Sequence, residues 1–102
     1  MTQGDAGSVS LPRAERVAAI RAALEAALTP VSLQLEDESH RHVGHAGAQD
    51  GRGHFSVDVV SQVFFGLNPI ARHRAVYAAV GDLLTTDIHA LSIRARTPAE
   101  AG

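Results

Sequence analysis

The chain contains no cysteine and no tryptophan, and its aromatic residues are three Phe and one Tyr. Without a thiol, the sequence can form no disulfide, carry out no thiol catalysis and build no thiolate metal site from its own residues. Because aromatic side chains are scarce, the core must consist mostly of Val, Leu, Ile and Ala. A cysteine-free chain is compatible with a reducing compartment, and we expect a cytoplasmic protein.

Neither sign of charge dominates, since nine Lys and Arg face eleven Asp and Glu, for a formal net charge of −2. The whole chain therefore lacks the basic footprint of a typical nucleic-acid-binding domain, although a local basic patch is still compatible with the sequence. No apolar run approaches the roughly 18 residues needed to cross a bilayer. The 102 residues predict a single globular domain with no membrane contact.

Signatures of catalysis are also lacking. No Ser or Thr lies in a nucleophile motif, no glycine-rich phosphate loop follows a predicted strand, and no pair of carboxylates has an evident partner. The sequence therefore predicts a protein that is not an enzyme and has no small-molecule substrate.

Helical periodicity predicts two helices. The first begins with Ser10 as N-cap and Pro12 in its first turn, and it ends at Thr29-Pro30. The second begins with Asn68 as N-cap and Pro69 at its first helical position. It ends at residues 85–87, and we expect one apolar stripe along it, consisting of Ile70, Val76, Tyr77, Val80, Leu83 and Leu84.

Alternating apolar and polar residues predict three strands, at residues 31–36, 54–61 and 88–96. A long loop at residues 38–53 separates the first two, which we expect to be antiparallel, and a short extra helical turn is compatible with the sequence near Phe64. The order α-β-β-α-β predicts an α+β fold, in which a three-stranded sheet carries both helices on one face.

The predicted domain spans residues 10–97. We expect residues 1–9 to form a flexible N-terminal tail and residues 98–102 a short C-terminal tail.

Short segments between residues 31 and 100 resemble the BolA family in their order and spacing. These segments are Asp37-Glu38-Ser39, His54-Phe55-Ser56-Val57, Phe64-Phe65-Gly66, Arg72-His73-Arg74-Ala75-Val76-Tyr77, Ile88-His89-Ala90-Leu91-Ser92-Ile93 and Thr97-Pro98-Ala99-Glu100. The resemblance implies a fold like the class II KH domain. It also implies one of two non-enzymatic roles: a partner of monothiol glutaredoxins in iron-sulfur trafficking or iron sensing, or a DNA-binding transcriptional regulator of cell shape and stress response.

Histidines are the strongest chemical signal in the sequence. There are six, and His40, His42 and His45 fall within six consecutive positions. Neutral imidazole is a common ligand for borderline metals, but this spacing matches no recognised zinc motif, and surface histidines without a role explain it equally well. The resemblance implies that His89 and one histidine of the long loop are metal ligands. His42, His45 and His54 are all candidates for the second ligand, and we favour His42 or His45, with His54 as a neighbour and substitute.

The lack of cysteine limits what these histidines can hold. A [2Fe-2S] cluster is usually held by four thiolates, so two histidines of this chain could ligate only one iron. The resemblance therefore implies a heterodimer in which a monothiol glutaredoxin and glutathione supply the remaining ligands. We expect the isolated protein to bind no stable cluster.

The alternative role depends on Arg72, Arg74 and Arg94. Guanidinium groups suit phosphate contacts, although the sequence alone favours a solvated helix edge for the first two. At 100° per residue, His73 falls near the centre of the expected apolar stripe. The pattern therefore predicts a buried or half-buried His73 with Arg72 and Arg74 on either side of the stripe.

Overall fold

The computed structural model describes residues 11–38 and 53–102. The expected N-terminal tail and most of the expected loop, with His40, His42 and His45, lie outside the described residues. The elements follow in the order α1 (Arg13–Leu28), β1 (Ser32–Asp37), β2 (Gly53–Val60), a 3-10 turn (Gln62–Phe64), α2 (Pro69–Val80), α3 (Leu83–Thr86), β3 (Ile88–Arg96) and α4 (Pro98–Ala101).

The three strands form one mixed sheet in the order β1-β2-β3. β1 is antiparallel to β2, and β3 is parallel to β2. Leu35 lies opposite Val57, which in turn lies beside Ile93, so the apolar residues of all three strands share one face. A parallel pair needs a long crossover connection, and the segment containing α2 and α3 supplies it. The predicted α+β fold with a three-stranded sheet is confirmed.

The core lies between this apolar face and the helices. Its buried side chains are Ile20, Leu24, Leu28, Phe55, Val57, Val59, Phe64, Val76, Val80 and Ile88. All except the two phenylalanines are aliphatic, as the scarcity of aromatic residues predicts. Within residues 11–38 and 53–102, no helix is both long and apolar enough to cross a membrane.

The start of α1 differs from the prediction. Pro12, not Ser10, occupies the N-cap position, and its side chain makes no capping hydrogen bond. A contact distant in sequence holds this end instead, because the Leu11 backbone N–H donates to the Asp87 carboxylate at 2.7 Å. The expected cap is therefore wrong, and the reason is that a tertiary contact replaces the local one.

The start of α2 follows the prediction and its end does not. The Asn68 side chain accepts a hydrogen bond from the Ala71 N–H at 2.8 Å, and Pro69 opens the helix. At the other end, Gly81 adopts a positive φ of 56°, a conformation that stops a helix. α2 therefore ends at Val80 and α3 follows as a separate turn, whereas the sequence predicts one helix to residues 85–87.

The buried face of α2 matches the predicted stripe only in part. Val76 and Val80 are buried, but Ile70 is 65% exposed, Tyr77 is 40% exposed and His73 is also exposed. Residues 70, 73 and 77 repeat at intervals of three and four, and residues 72, 76 and 80 at intervals of four. Both sets are compatible with helical periodicity, so periodicity alone cannot tell the two faces apart. The prediction of a buried His73 inside a single stripe is therefore wrong.

The end of the chain is ordered by its own helical turn rather than forming a tail. In α4, the Thr97 hydroxyl accepts from the Glu100 N–H and the Glu100 carboxylate accepts from the Thr97 N–H, which is a capping box. The spacing of threonine and glutamate was therefore a usable helix signal in the sequence.

Candidate functional site

Two histidines lie side by side at one end of the sheet. His54 is the second residue of β2 and His89 is the second residue of β3, so parallel pairing brings them to the same end of the sheet. Their ring centroids are 5.1 Å apart and the rings are tilted by 46°. His89 is exposed and His54 is partly buried. We call these two residues the histidine pair.

A break in the register between β2 and β3 lies at His89, beside His54. Gly53 pairs with Ile88, but His54 pairs with Ala90, which makes His89 an extra residue between two rungs of the ladder. A bulge of this kind shifts the following side chains relative to the sheet face and is common beside functional sites. Ile88 is buried while both His89 and Ala90 are exposed, so the bulge moves the imidazole to the surface.

Asp87 fixes the strand ends beside the histidine pair. Its carbonyl accepts from the Gly53 N–H at 2.9 Å, which ties the start of β2 to the start of β3. Its carboxylate, 1% exposed, accepts from the Leu11 N–H at 2.7 Å and from Arg16 Nε at 3.3 Å. Nothing in the sequence near Asp87 indicated this role, because Leu11 and Arg16 lie more than 70 residues earlier in the chain.

At this end of the sheet, the described residues supply two imidazoles, those of the histidine pair, and no complete metal site. Among residues 11–38 and 53–102, no group of three or more His, Asp or Glu side chains could hold a metal ion. Of the four predicted metal ligands, the structure brings His54 and His89 together, whereas His42 and His45 lie outside the described residues. This donor set fits one iron of a [2Fe-2S] cluster and cannot hold the second.

Arg72 is used within the fold. Its guanidinium donates to the Leu67 and Ala95 carbonyls at 2.8 and 3.1 Å, and to both carboxylate oxygens of Glu100 at 2.6 and 3.0 Å. These bonds from Arg72 are the main cause that lowers the pKa of Glu100 to about 2. The Glu100 carboxylate in turn raises the pKa of Arg72. Arg72 therefore connects α2 to the last turn of the chain.

The three arginines predicted to contact nucleic acid do not share a surface. Arg74 is exposed on α2. Arg94 alternates with Ile93 and Ala95, which pack against the core, so it points to the opposite, uncovered face of the sheet. With Arg72 engaged by Glu100, Arg74 is the arginine of this set that α2 presents to solvent.

A set of exposed apolar side chains was not predicted as a surface. We call it the apolar ridge, and it consists of Val63, Phe65, Leu67, Ile70 and Tyr77. The adjacent Phe64 and Phe65 were a usable signal, since two successive residues of a tight turn rarely face the same core. Phe64 is fully buried, whereas Phe65 is 74% exposed.

Comparisons with known proteins agree with this fold. The model of the BolA-like protein family matches residues 24–100. BolA-like protein 1 from Homo sapiens is 48% identical over 100 residues, which cover 98% of this chain and 69% of that protein. The DNA-binding transcriptional regulator BolA from Escherichia coli (strain K12) is 40% identical over 74 residues, which cover 72% of this chain and 68% of that protein.

Solved structures show the same similarity. The BolA domain of SufE1 from Arabidopsis thaliana has a TM-score of 0.75 and 42% identity, and the match covers 89% of this chain and 99% of that one. Sequence, family model and fold thus agree over most of the chain, and the protein belongs to the BolA family.

Proposed function

We propose that this protein is a non-enzymatic cytoplasmic adaptor that pairs with a monothiol glutaredoxin and co-ligates a glutathione-bound [2Fe-2S] cluster. Its role would be iron-sulfur trafficking or iron sensing. The observation that carries the proposal is the histidine pair, whose ring centroids lie 5.1 Å apart at one end of the sheet, with His89 exposed and His54 partly buried. Both residues are among the ligand candidates that the family resemblance implies.

The chemistry of the donor set explains why a partner is required. The chain offers imidazole and no thiolate, so it can complete one iron while the glutaredoxin cysteine and glutathione hold the other. When bound, such a cluster supplies a one-electron centre, and histidine ligation raises its reduction potential above that of an all-cysteine cluster. The role of this chain is to present two neutral imidazoles at a fixed spacing.

His54 is the second ligand that the described geometry supports best. Its ring is already in contact with that of His89, which limits the rearrangement needed for both to reach one iron. His42 and His45 stay in the proposal as alternatives, because they belong to the long loop from which the resemblance implies one ligand.

The test is anaerobic reconstitution with a monothiol glutaredoxin, glutathione, ferrous iron and sulfide, followed by visible circular dichroism and size-exclusion chromatography. We expect this protein to convert the glutaredoxin homodimer spectrum into a new one, in a one-to-one complex. His89→Ala should abolish the new spectrum, because it removes one of two ligands to an iron. His54→Ala, His42→Ala and His45→Ala, measured separately, should identify the second ligand.

His73→Ala is the matched control, since His73 is exposed on α2 and not part of the histidine pair. It should leave the spectrum unchanged. A new spectrum that survives His89→Ala, or a mixture in which the two proteins elute separately, would contradict the proposal.

Transcriptional regulation through DNA is a second candidate, favoured by the name of the Escherichia coli relative and by the exposed Arg74. The geometry supports it less well, because Arg72 and Arg94 do not extend the surface around Arg74. If DNA binds α2, Arg74→Ala should reduce the slope of log K against log salt by about one. An unchanged slope would remove Arg74 from any phosphate contact.

A further inference from the structure

The apolar ridge consists of five large apolar side chains that are exposed to solvent. Phe65 is 74% exposed, Ile70 is 65% exposed and Val63 is 44% exposed, while Tyr77 and Leu67 are exposed by 40% and 36%. Single exposed apolar residues are common, but a cluster of large ones marks a site of interaction. The turn before α2 and the first three turns of α2 carry all five.

Backbone hydrogen bonds hold the turn that carries Phe65 and Leu67. The Phe65 N–H donates to the Gln62 carbonyl and the Leu67 N–H donates to the Phe64 carbonyl, each at 3.0 Å. Gly66 adopts a φ of 81° between them, a conformation that favours glycine. A surface fixed before binding loses little conformational entropy when a partner arrives.

The chain segment that carries the ridge contains arginine but no carboxylate. Between Gln62 and Val80 the sequence contains no Asp or Glu. At roughly 100° per residue, Arg74 and Tyr77 lie within about 40° of Ile70 around the α2 axis, so the cation borders the apolar side chains. Arg72 does not add to this charge, because Glu100 neutralises it at 2.6 Å.

We propose that the apolar ridge docks an acidic amphipathic helix of a partner protein. The apolar stripe of that helix would cover Phe65, Ile70 and Tyr77, and a carboxylate beside the stripe would meet Arg74. A helix whose apolar face lies against a preformed hydrophobic surface is a recurrent mode of recognition.

Two other occupants fit the ridge less well. A nucleic acid needs several cations for its phosphates, and the ridge offers one fixed positive charge beside aliphatic side chains. A second copy of this chain would bring Arg74 against a ridge that has no carboxylate to receive it. Charge complementarity therefore favours an acidic protein segment.

The ridge is separate from the histidine pair, so the inference goes beyond the proposed function. β2 starts beside the pair and leads at its other end, through Ser61, into the turn that carries the ridge. Its eight residues span roughly 25 Å at about 3.3 Å per residue. A helix docked at the ridge would leave the histidine pair accessible to another protein.

The test uses the full chain and two synthetic helical peptides with the same leucine stripe, one with glutamate and one with lysine on the polar face. Titration is followed by 15N chemical shifts and by calorimetry. We expect the glutamate peptide to bind with shifts concentrated at residues 62–78, and the lysine peptide to bind at least about tenfold more weakly. Ile70→Ser should lower the affinity for the glutamate peptide by about tenfold or more.

Val31→Ser is the matched control, because Val31 is 71% exposed but lies before β1, outside the ridge. It should leave binding unchanged. Arg74→Glu should reverse the preference, so that the lysine peptide becomes the tighter ligand. All variants alter exposed side chains, and far-ultraviolet circular dichroism checks that they stay folded.

Several outcomes would overturn the proposal. These are no binding of the glutamate peptide, shifts located elsewhere, and equal binding of the two peptides. Self-association of the free chain that Ile70→Ser abolishes would assign the ridge to a second copy. Tighter binding of a single-stranded oligonucleotide at the same residues would assign it to nucleic acid.

Discussion

At the scale of single residues, Asp87 and Arg16 form a buried ion pair that connects the start of α1 to the start of β3. Both side chains are at most 9% exposed, with Arg16 Nε 3.3 Å from the Asp87 carboxylate. Removing one partner of such a pair leaves a charge in the core, which costs far more than the net value of the pair itself. The pair also lies next to the strand ends that carry the histidine pair.

Asp87→Asn should therefore destabilise the protein by about 3 kcal/mol, because Arg16 loses its counter-charge inside the core. Urea denaturation measures this, and the nuclear Overhauser contact between the His54 and His89 rings reports whether the histidine pair loosens as well. Asp82→Asn is the control, since Asp82 is exposed and makes no capping bond through its side chain. Its effect should stay within about 0.5 kcal/mol, and equal losses in the two variants would refute the role given to Asp87.

At the scale of elements, the hydrogen bonds and ion pair of Glu100 hold α4 in place, rather than the packing of apolar side chains. α4 has no buried residue, and Glu100 connects it both to its own first residue and to Arg72 on α2. Because the side chain of Glu100 is 47% exposed, solvent and salt weaken this connection. The strength of the connection should therefore depend on pH.

The pKa of Glu100 is lowered from 4.5 to about 2 in the folded state, first by the hydrogen bonds from Arg72. A carboxylate with a lowered folded pKa stabilises the fold above its unfolded pKa and loses that contribution as the pH falls through the folded value. Wild type should thus be more stable than Glu100→Gln at neutral pH. The difference in melting temperature should shrink between pH 4.5 and pH 2.

Glu25→Gln is the control for that series, because Glu25 forms an exposed pair with Arg21 at 3.9 Å. It should show little difference from wild type at any pH. A Glu100→Gln difference that is constant with pH would contradict the lowered pKa.

At the scale of the whole molecule, the features that could be predicted are those written in neighbouring residues. The alternation of Phe55, Val57 and Val59 predicts a strand, and Asn68-Pro69 predicts a helix start; the structure confirms both. The chain order of such elements, together with the BolA-like segments, was enough for the fold class and the family.

The features that could not be predicted depend on contacts between distant residues. The buried face of α2 is chosen by the sheet it packs on, the bulge at His89 is defined only against β2, and the anchor of residue 11 is Asp87. Arg72 has the chemistry of a phosphate ligand, but Glu100, 28 residues later, engages its guanidinium. Residue type therefore predicted which groups could act, and only tertiary structure shows which ones face solvent.

The parallel pairing of β2 with β3 also determines when the histidine pair can exist during folding. His54 and His89 meet only through the last strand, after α2 and α3 have been synthesised and a long loop has been closed. Non-local parallel contacts of this kind form late, because loop-closure entropy must be overcome first. A nascent chain that still lacks β3 has no histidine pair, so a chain on the ribosome cannot capture metal there before its fold is complete.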